Sequence, residues 1–193
     1  MESKDGLPVI AFATAAEWEA WLDANHASSK GLWAKIAKKG TGPTTTQYHE
    51  LLDGALCYGW IDGQKGALDA TWWLQKFTPR SKQSRWSQVN QAKVAALTAQ
   101  GRMRPTGLAE VERAKADGRW EAAYEPPSKV TLPEDLQAAL DADPALAEAW
   151  TKLNKTNRYA IAYRLRDAKR PETRARRLAE YLQMLREGRS LYP

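Results

Sequence analysis

The sequence predicts an α+β fold: a small antiparallel sheet of about three strands packed with helices, followed by a C-terminal helical segment. Three observations predict it. Short runs at residues 31–37, 60–63 and 70–77 have strand character. The helical patterns are segregated from them, filling residues 84–117 and nearly everything beyond 133. Gly- and Pro-rich breaks part the elements.

Taken in order, residues 1–13 read as a short extended lead-in. Thr14-Ala15-Ala16-Glu17 has the form of a capping box, in which the hydroxyl accepts from a first-turn amide and the glutamate reaches back. The helix it opens carries Trp18, Trp21 and Leu22 on one stripe. Residues 31–37 alternate as a strand, ended by the loop 38–43. Thr44, Thr45 and Thr46 offer a cap for a second helix, with Tyr48, Leu51, Leu52, Ala55 and Leu56 at helical spacing. Trp60-Ile61-Asp62-Gly63 reads as a strand entering a turn. Residues 70–77 form another strand, with Trp72 and Leu74 facing away from Trp73 and Phe77. Ser84 caps a third helix, stopped by Gly101, and Pro105 opens a fourth that runs to about Asp117.

Residues 118–132, with Pro126, Pro127 and Ser128, read as a linker. The expected division is an α+β domain over residues 1–125 and a basic helical region over residues 126–193. In the latter, Pro133 and Pro144 take first-turn positions, with Asp143 as a cap. Leu146, Trp150 and Leu153 share a face, as do Tyr159 and Tyr163. Pro171 begins a last helix with Leu178, Tyr181, Leu182 and Leu185 on one side.

A chain of 193 residues, 43% hydrophobic and 27% charged, is long enough to hold a core without disulfides or metal. Its one cysteine, Cys57, cannot form an internal bridge, which fits a reducing compartment. No apolar run suffices for a membrane span, and the N-terminus lacks the charged and apolar regions of a signal peptide, so the expected location is cytoplasmic. Nine tryptophans stand beside two phenylalanines. Most are expected in the core, where indole replaces phenyl; the rest can wall a pocket.

Charge falls in alternating blocks. Residues 76–104 hold seven basic residues and no acidic one, and residues 152–193 hold twelve basic and four acidic. The intervening segments are net acidic. Either the blocks face each other within the fold, or the basic ones meet an anionic partner.

The candidate ligand-binding residues are Trp60, Asp62, Arg80, Trp86, Ser87 and Asn90. Pairing of the strands would bring Asp62 and Arg80 together between indoles, a setting for a small polar or anionic ligand, since Arg holds carboxylate or phosphate bidentately. Turn capping by Asp62 and stacking of Arg80 on a tryptophan are the structural alternative. A second candidate is a nucleic-acid surface made by Lys169, Arg170, Arg174, Arg176 and Arg177, with Tyr159 and Tyr163 stacking on bases; a solvated amphipathic face is its alternative. Asp62 as an acid/base residue is a third reading. His26 and His49 lack ligand spacing and are expected at the surface, and Cys57 is expected buried and inert. There is no phosphate loop, CxxC or HExxH. No metal or cofactor is therefore expected, and binding is favoured over catalysis. The expected partner is a small molecule or a protein, with nucleic acid as the alternative.

Several stretches carry a resemblance. Ala55-Leu56-Cys57-Tyr58-Gly59-Trp60-Ile61-Asp62-Gly63, then Phe77-Thr78-Pro79-Arg80 followed by Ser84-Arg85-Trp86-Ser87 and Asn90, are the first. Gly101-Arg102-Met103 with Pro105 and Gly107, and residues 168–177, complete the set. In spacing and order, from about residue 10 to 189, the chain resembles the YdeI/OmpD-associated (bacteriocin-protection) family of bacteria. The resemblance implies a link to bacteriocin or stress protection and an association with an outer-membrane protein. It implies no reaction and no catalytic residue.

Overall fold

The computed structural model describes residues 2–125 and 131–192. Pro126, Pro127 and Ser128 of the expected linker lie outside the described residues. The chain divides into two compact units, Met1–Tyr124 and Glu125–Pro193.

The first unit runs β1 (Ser3–Lys4), β2 (Leu7–Ile10), α1 (Ala15–Asn25), β3 (Leu32–Ala37), α2 (Tyr48–Cys57), β4 (Trp60–Ala67), β5 (Trp72–Pro79), α3 (Gln88–Ala99) and α4 (Pro105–Ala116). The sheet has five strands among the described residues, in the order β1-β2-β3-β5-β4. It is mixed rather than wholly antiparallel: β2 pairs parallel with β3, and the other neighbours are antiparallel. The α+β class holds, and the two extra strands come from the expected lead-in. Leu7-Pro8-Val9-Ile10 is too short, and too interrupted by proline, to announce a strand locally. Its pairing with β3 depends on the crossover through α1, which no local pattern encodes.

β4 also differs from expectation. It continues past Gly63 to Ala67 through a register irregularity between Asp62 and Lys65. Asp62 therefore sits inside a strand opposite Phe77, not at the entry to a turn. The extra backbone of a bulge accommodates the glycine that reads as a turn signal.

The core lies between one sheet face and the helices. Leu32, Ala34, Ile36 and Phe77 meet Trp18 and Leu22 of α1 and Leu51, Ala55 and Leu56 of α2. The Trp18 indole N–H donates to the Leu51 carbonyl at 2.9 Å. A Cβ on Gly54 would stand 2.7 Å from that indole nitrogen, so glycine is what lets α1 and α2 close. On the opposite face Val9, Trp33 and Leu74 form a smaller cluster. Trp18, Trp33, Trp60, Trp86 and Trp150 are all buried, so core packing takes most of the indoles.

Helix starts divide into expected and displaced ones. Thr14 caps α1, accepting from the Glu17 amide at 3.2 Å, and Pro105 opens α4. The cap of α2 is Gln47 rather than a threonine. Thr45 is spent on the Ala37 amide at 3.0 Å and Thr46 on the Phe12 carbonyl at 3.1 Å. Ser87, not Ser84, caps α3, accepting from the Asn90 amide at 3.1 Å; Ser84 accepts from the Ser81 amide instead.

The second unit contains α5 (Glu134–Ala142), α6 (Pro144–Lys152), α7 (Lys155–Asp167) and α8 (Pro171–Arg186). Leu136, Leu146, Trp150, Ile161, Leu165 and Leu185 are among its core residues. Asp143 caps α6 as expected, while Pro133 stands at the cap of α5, one position earlier than a first-turn proline. Among the described residues no helix is long and apolar enough to cross a membrane.

Candidate functional site

The expected pairing of β4 with β5 occurs, yet Asp62 and Arg80 end with different partners. Asp62 is half-buried on the α2 side of its strand, where its carboxylate accepts from the Tyr48 hydroxyl at 2.8 Å. Burial, and then this bond, raise the Tyr48 phenol above its ordinary pKa. Trp60 is 1% exposed, donates its indole N–H to the His26 carbonyl at 3.2 Å and packs edge-on against Trp21. Trp60 is thus part of the core.

Arg80 lies where β5 ends. Its backbone N–H donates to the Gly59 carbonyl at 3.0 Å, and its carbonyl accepts from Arg113 Nη2 at 3.3 Å. The side chain is carried inward, leaving the residue 5% exposed. The guanidinium carbon sits 3.6 Å from the centre of the Trp86 ring, a stacked cation–π contact. Trp86 is itself buried and meets Trp120 at 4.8 Å. Ser87 and Asn90 are joined only through the helix cap described above. The structure therefore brings Arg80, Trp86, Ser87 and Asn90 to one corner, and Trp60 and Asp62 to neighbouring positions with other partners.

The electrostatics of that corner are unbalanced. Arg80 Nη1 donates to the Arg85 carbonyl at 3.2 Å, but Nε and Nη2 find no acceptor among the described residues. These two N–H groups form the side-on edge of the guanidinium, the edge that grips a carboxylate or phosphate with parallel hydrogen bonds. The Trp86 indole N–H and Arg113 Nε, also buried, have no acceptor either. Glu110, 8% exposed, is the buried acid of the region, and both its oxygens are taken: Oε2 by Arg113 and Oε1 by Arg119 at 3.3 Å. Arg119 is further paired with Asp117 at 2.8 Å. Burial pushes the Arg80 guanidinium down to about 10, against the opposing pull of Glu110. A buried cation with spare donors and no acid of its own carries unmet hydrogen-bonding capacity.

Glu110, Arg113 and Arg119 are site residues that sequence reasoning missed. The signal was present in part: Glu110 and Arg113 are three apart, the spacing of a helical ion pair. Their approach to Arg80 is long-range and has no local mark.

The expected nucleic-acid surface is engaged internally at three positions. Arg174 grips Asp135 with two bonds, of 2.7 and 2.8 Å. Arg176 pairs with Glu180 at 2.6 Å, and Arg177 donates to the Arg164 carbonyl at 2.7 Å. Lys169 and Arg170 are exposed. Tyr159 and Tyr163 lie 5.7 Å apart on α7. Cys57 is buried, and burial pushes its thiol up to about 11, which suppresses thiolate chemistry. His49 is exposed; His26 is half-buried and bonds the Leu22 carbonyl through Nδ1 at 2.8 Å.

Comparison with known proteins gives two matches. Residues 10–110 match the domain of unknown function DUF8412, and residues 129–188 match the family described as bacteriocin-protection, YdeI or OmpD-associated. No curated protein and no solved structure matches the chain. The stretches around Trp60 and Arg80 fall in the first match, and residues 168–177 in the second.

Proposed function

The chain belongs to the DUF8412 domain family over residues 10–110 and matches the bacteriocin-protection, YdeI or OmpD-associated family over residues 129–188, and we propose that it is a binding protein for a small oxyanion-bearing ligand. The ligand's carboxylate or phosphate is held by the Nε and Nη2 edge of Arg80, with the Trp86 indole supplying the wall behind the guanidinium. One observation carries the reading: Arg80 is 5% exposed, and the edge suited to bidentate binding has no acceptor among the described residues. The family supplies the association with bacteriocin protection, and the Arg80 corner supplies the chemistry by which a ligand is recognised. No reaction is proposed, because Asp62, the expected acid/base residue, is hydrogen-bonded to Tyr48.

The test uses the full chain, titrated calorimetrically with phosphate, sulfate and small mono- and dicarboxylates. Arg80→Lys keeps the charge and removes the fork, so binding should weaken roughly tenfold to a hundredfold, the worth of a charge-assisted bidentate contact. Circular dichroism checks that the variant is folded. Equal affinities in wild type and variant, or no saturable heat from any of the anions, would overturn the reading.

A further inference from the structure

A cleft of about 640 Å³ opens on the helix-covered side of the sheet, at the start of α2. It is lined in part by Tyr48 and Trp73, each packed in part against the core, and by Lys38, Lys39 and Lys65. Among the described residues no aspartate or glutamate lines it. The acids on the chain segments next to the lining residues already accept hydrogen bonds. Asp62 takes the Tyr48 hydroxyl at 2.8 Å, and Glu50 takes the Gln47 amide at 2.8 Å. Asp69 takes the amides of Thr71 and Trp72 at 2.7 and 2.8 Å.

Two aromatic rings frame the space, with centroids 6.2 Å apart and planes inclined at 48°. Tyr48 is fixed by its bond to Asp62, so this wall is preorganised. Lys65 Nζ lies 4.5 Å over the Trp73 ring, and Lys38 Nζ is anchored on the Asp69 carbonyl at 2.6 Å. Trp73 is half-buried, and an ammonium resting on its open face is a weak cover that a better partner displaces. It stays close enough to pair with that partner's negative charge.

We infer that this cleft is a second binding site, for a planar aromatic anion of small-molecule size. The ring takes the place of the Lys65 ammonium on the Trp73 face and meets Tyr48 along its edge. The anionic group then lies among Lys38, Lys39 and Lys65. Recognition has two parts, stacking and charge, and neither involves Arg80. An aliphatic anion or a neutral arene satisfies only one part.

Calorimetric titration of the full chain with 2-naphthoate, 2-naphthamide and cyclohexanecarboxylate separates the two parts. Naphthoate is expected to bind saturably, with the other two weaker by roughly tenfold or more. Lys39 and Lys65 are exposed, so the double variant Lys39→Gln, Lys65→Gln folds without difficulty. It should lose a similar factor for naphthoate. Trp73→Leu should lose the preference for the arene, and the lysine pair keeps the test decisive if that variant is unstable. Repeating the naphthoate titration in Arg80→Lys isolates this site, because the carboxylate contact proposed for the Arg80 corner is weakened there and the saturable heat that remains belongs to the cleft. Equal binding of acid and amide, an unaffected lysine double variant, or no saturable binding of naphthoate would overturn the inference.

Discussion

Gly107→Ala tests how α4 is seated against α2. Gly107 is in the first turn of α4, beside the end of α2. A Cβ built there stands 2.2 Å from the Cys57 carbonyl oxygen, 2.8 Å from its carbon and 3.0 Å from the Leu56 carbonyl oxygen. All three are backbone atoms, so no rotamer change relieves the clash and the helices must separate. Separation also strains the bond from the Arg104 N–H to the Cys57 carbonyl, now 3.0 Å. Overpacking of this kind costs about 1–3 kcal/mol, and a weakened hydrogen bond adds about 1 kcal/mol. Alanine returns about 1 kcal/mol through its better helix propensity. The net loss is about 2 kcal/mol, and with a urea m-value of about 2 kcal/mol/M the midpoint falls by about 1 M. Tryptophan fluorescence is the assay, because every tryptophan except Trp150 belongs to the first unit. Gly63→Ala is the control: its Cβ would meet nothing closer than 3.8 Å. A Gly107→Ala midpoint equal to that of wild type or of the control would refute the argument.

Three further outcomes are expected. Burial pushes the Cys57 thiol up to about 11 and the Tyr58 phenol up to about 12, so the folded state holds both protons more tightly than the unfolded chain does. The stability they confer is complete below the unfolded values of about 8.5 and 10 and is lost as pH rises through the folded ones. Urea midpoints of the first unit should therefore be level from pH 7 to 8 and fall above about pH 9, with Cys57→Ala removing the earlier part of the fall. In the helical unit, Arg174→Lys should cost about 0.5–1 kcal/mol of stability through loss of its two-bond grip on Asp135, seen as an earlier thermal transition in circular dichroism. The same variant should leave retention on a DNA column at low salt unchanged, since Arg174 is spent inside the fold; reduced retention would put it on a nucleic-acid surface.

The parts of the fold legible in the sequence are those decided within a few residues. Thr14, Asp143, Pro105, Pro144 and Pro171 mark helix starts because their geometry is local, and the structure keeps them there. Thr45 and Thr46 look equally suited to capping, yet their partners are Ala37 and Phe12, at sequence separations of 8 and 34. Ser84 and Ser87 are interchangeable by propensity, and only the position of the loop after Arg80 decides between them. The Asp-Gly pair at Asp62 signals irregular backbone correctly, but a bulge and a turn share that signal. The candidate site was half legible. Arg80 and Trp86 are close in the chain and do meet, whereas Asp62 was drawn to Tyr48 by the placement of α2. Glu110, which leaves Arg80 without a carboxylate by serving Arg113 and Arg119, enters from a helix thirty residues away.

The irregularity in β4 has a consequence beyond placing Asp62. β4 is an outermost strand of the sheet, eight residues long and exposed over much of its length. A straight edge of that length is a ready template on which another molecule can zip a strand of its own, the first step towards fibrils. The slipped register, the glycine at 63 and the charge at Lys65 spoil that template. Straightening β4 would leave the fold's interior intact and make its flank adhesive.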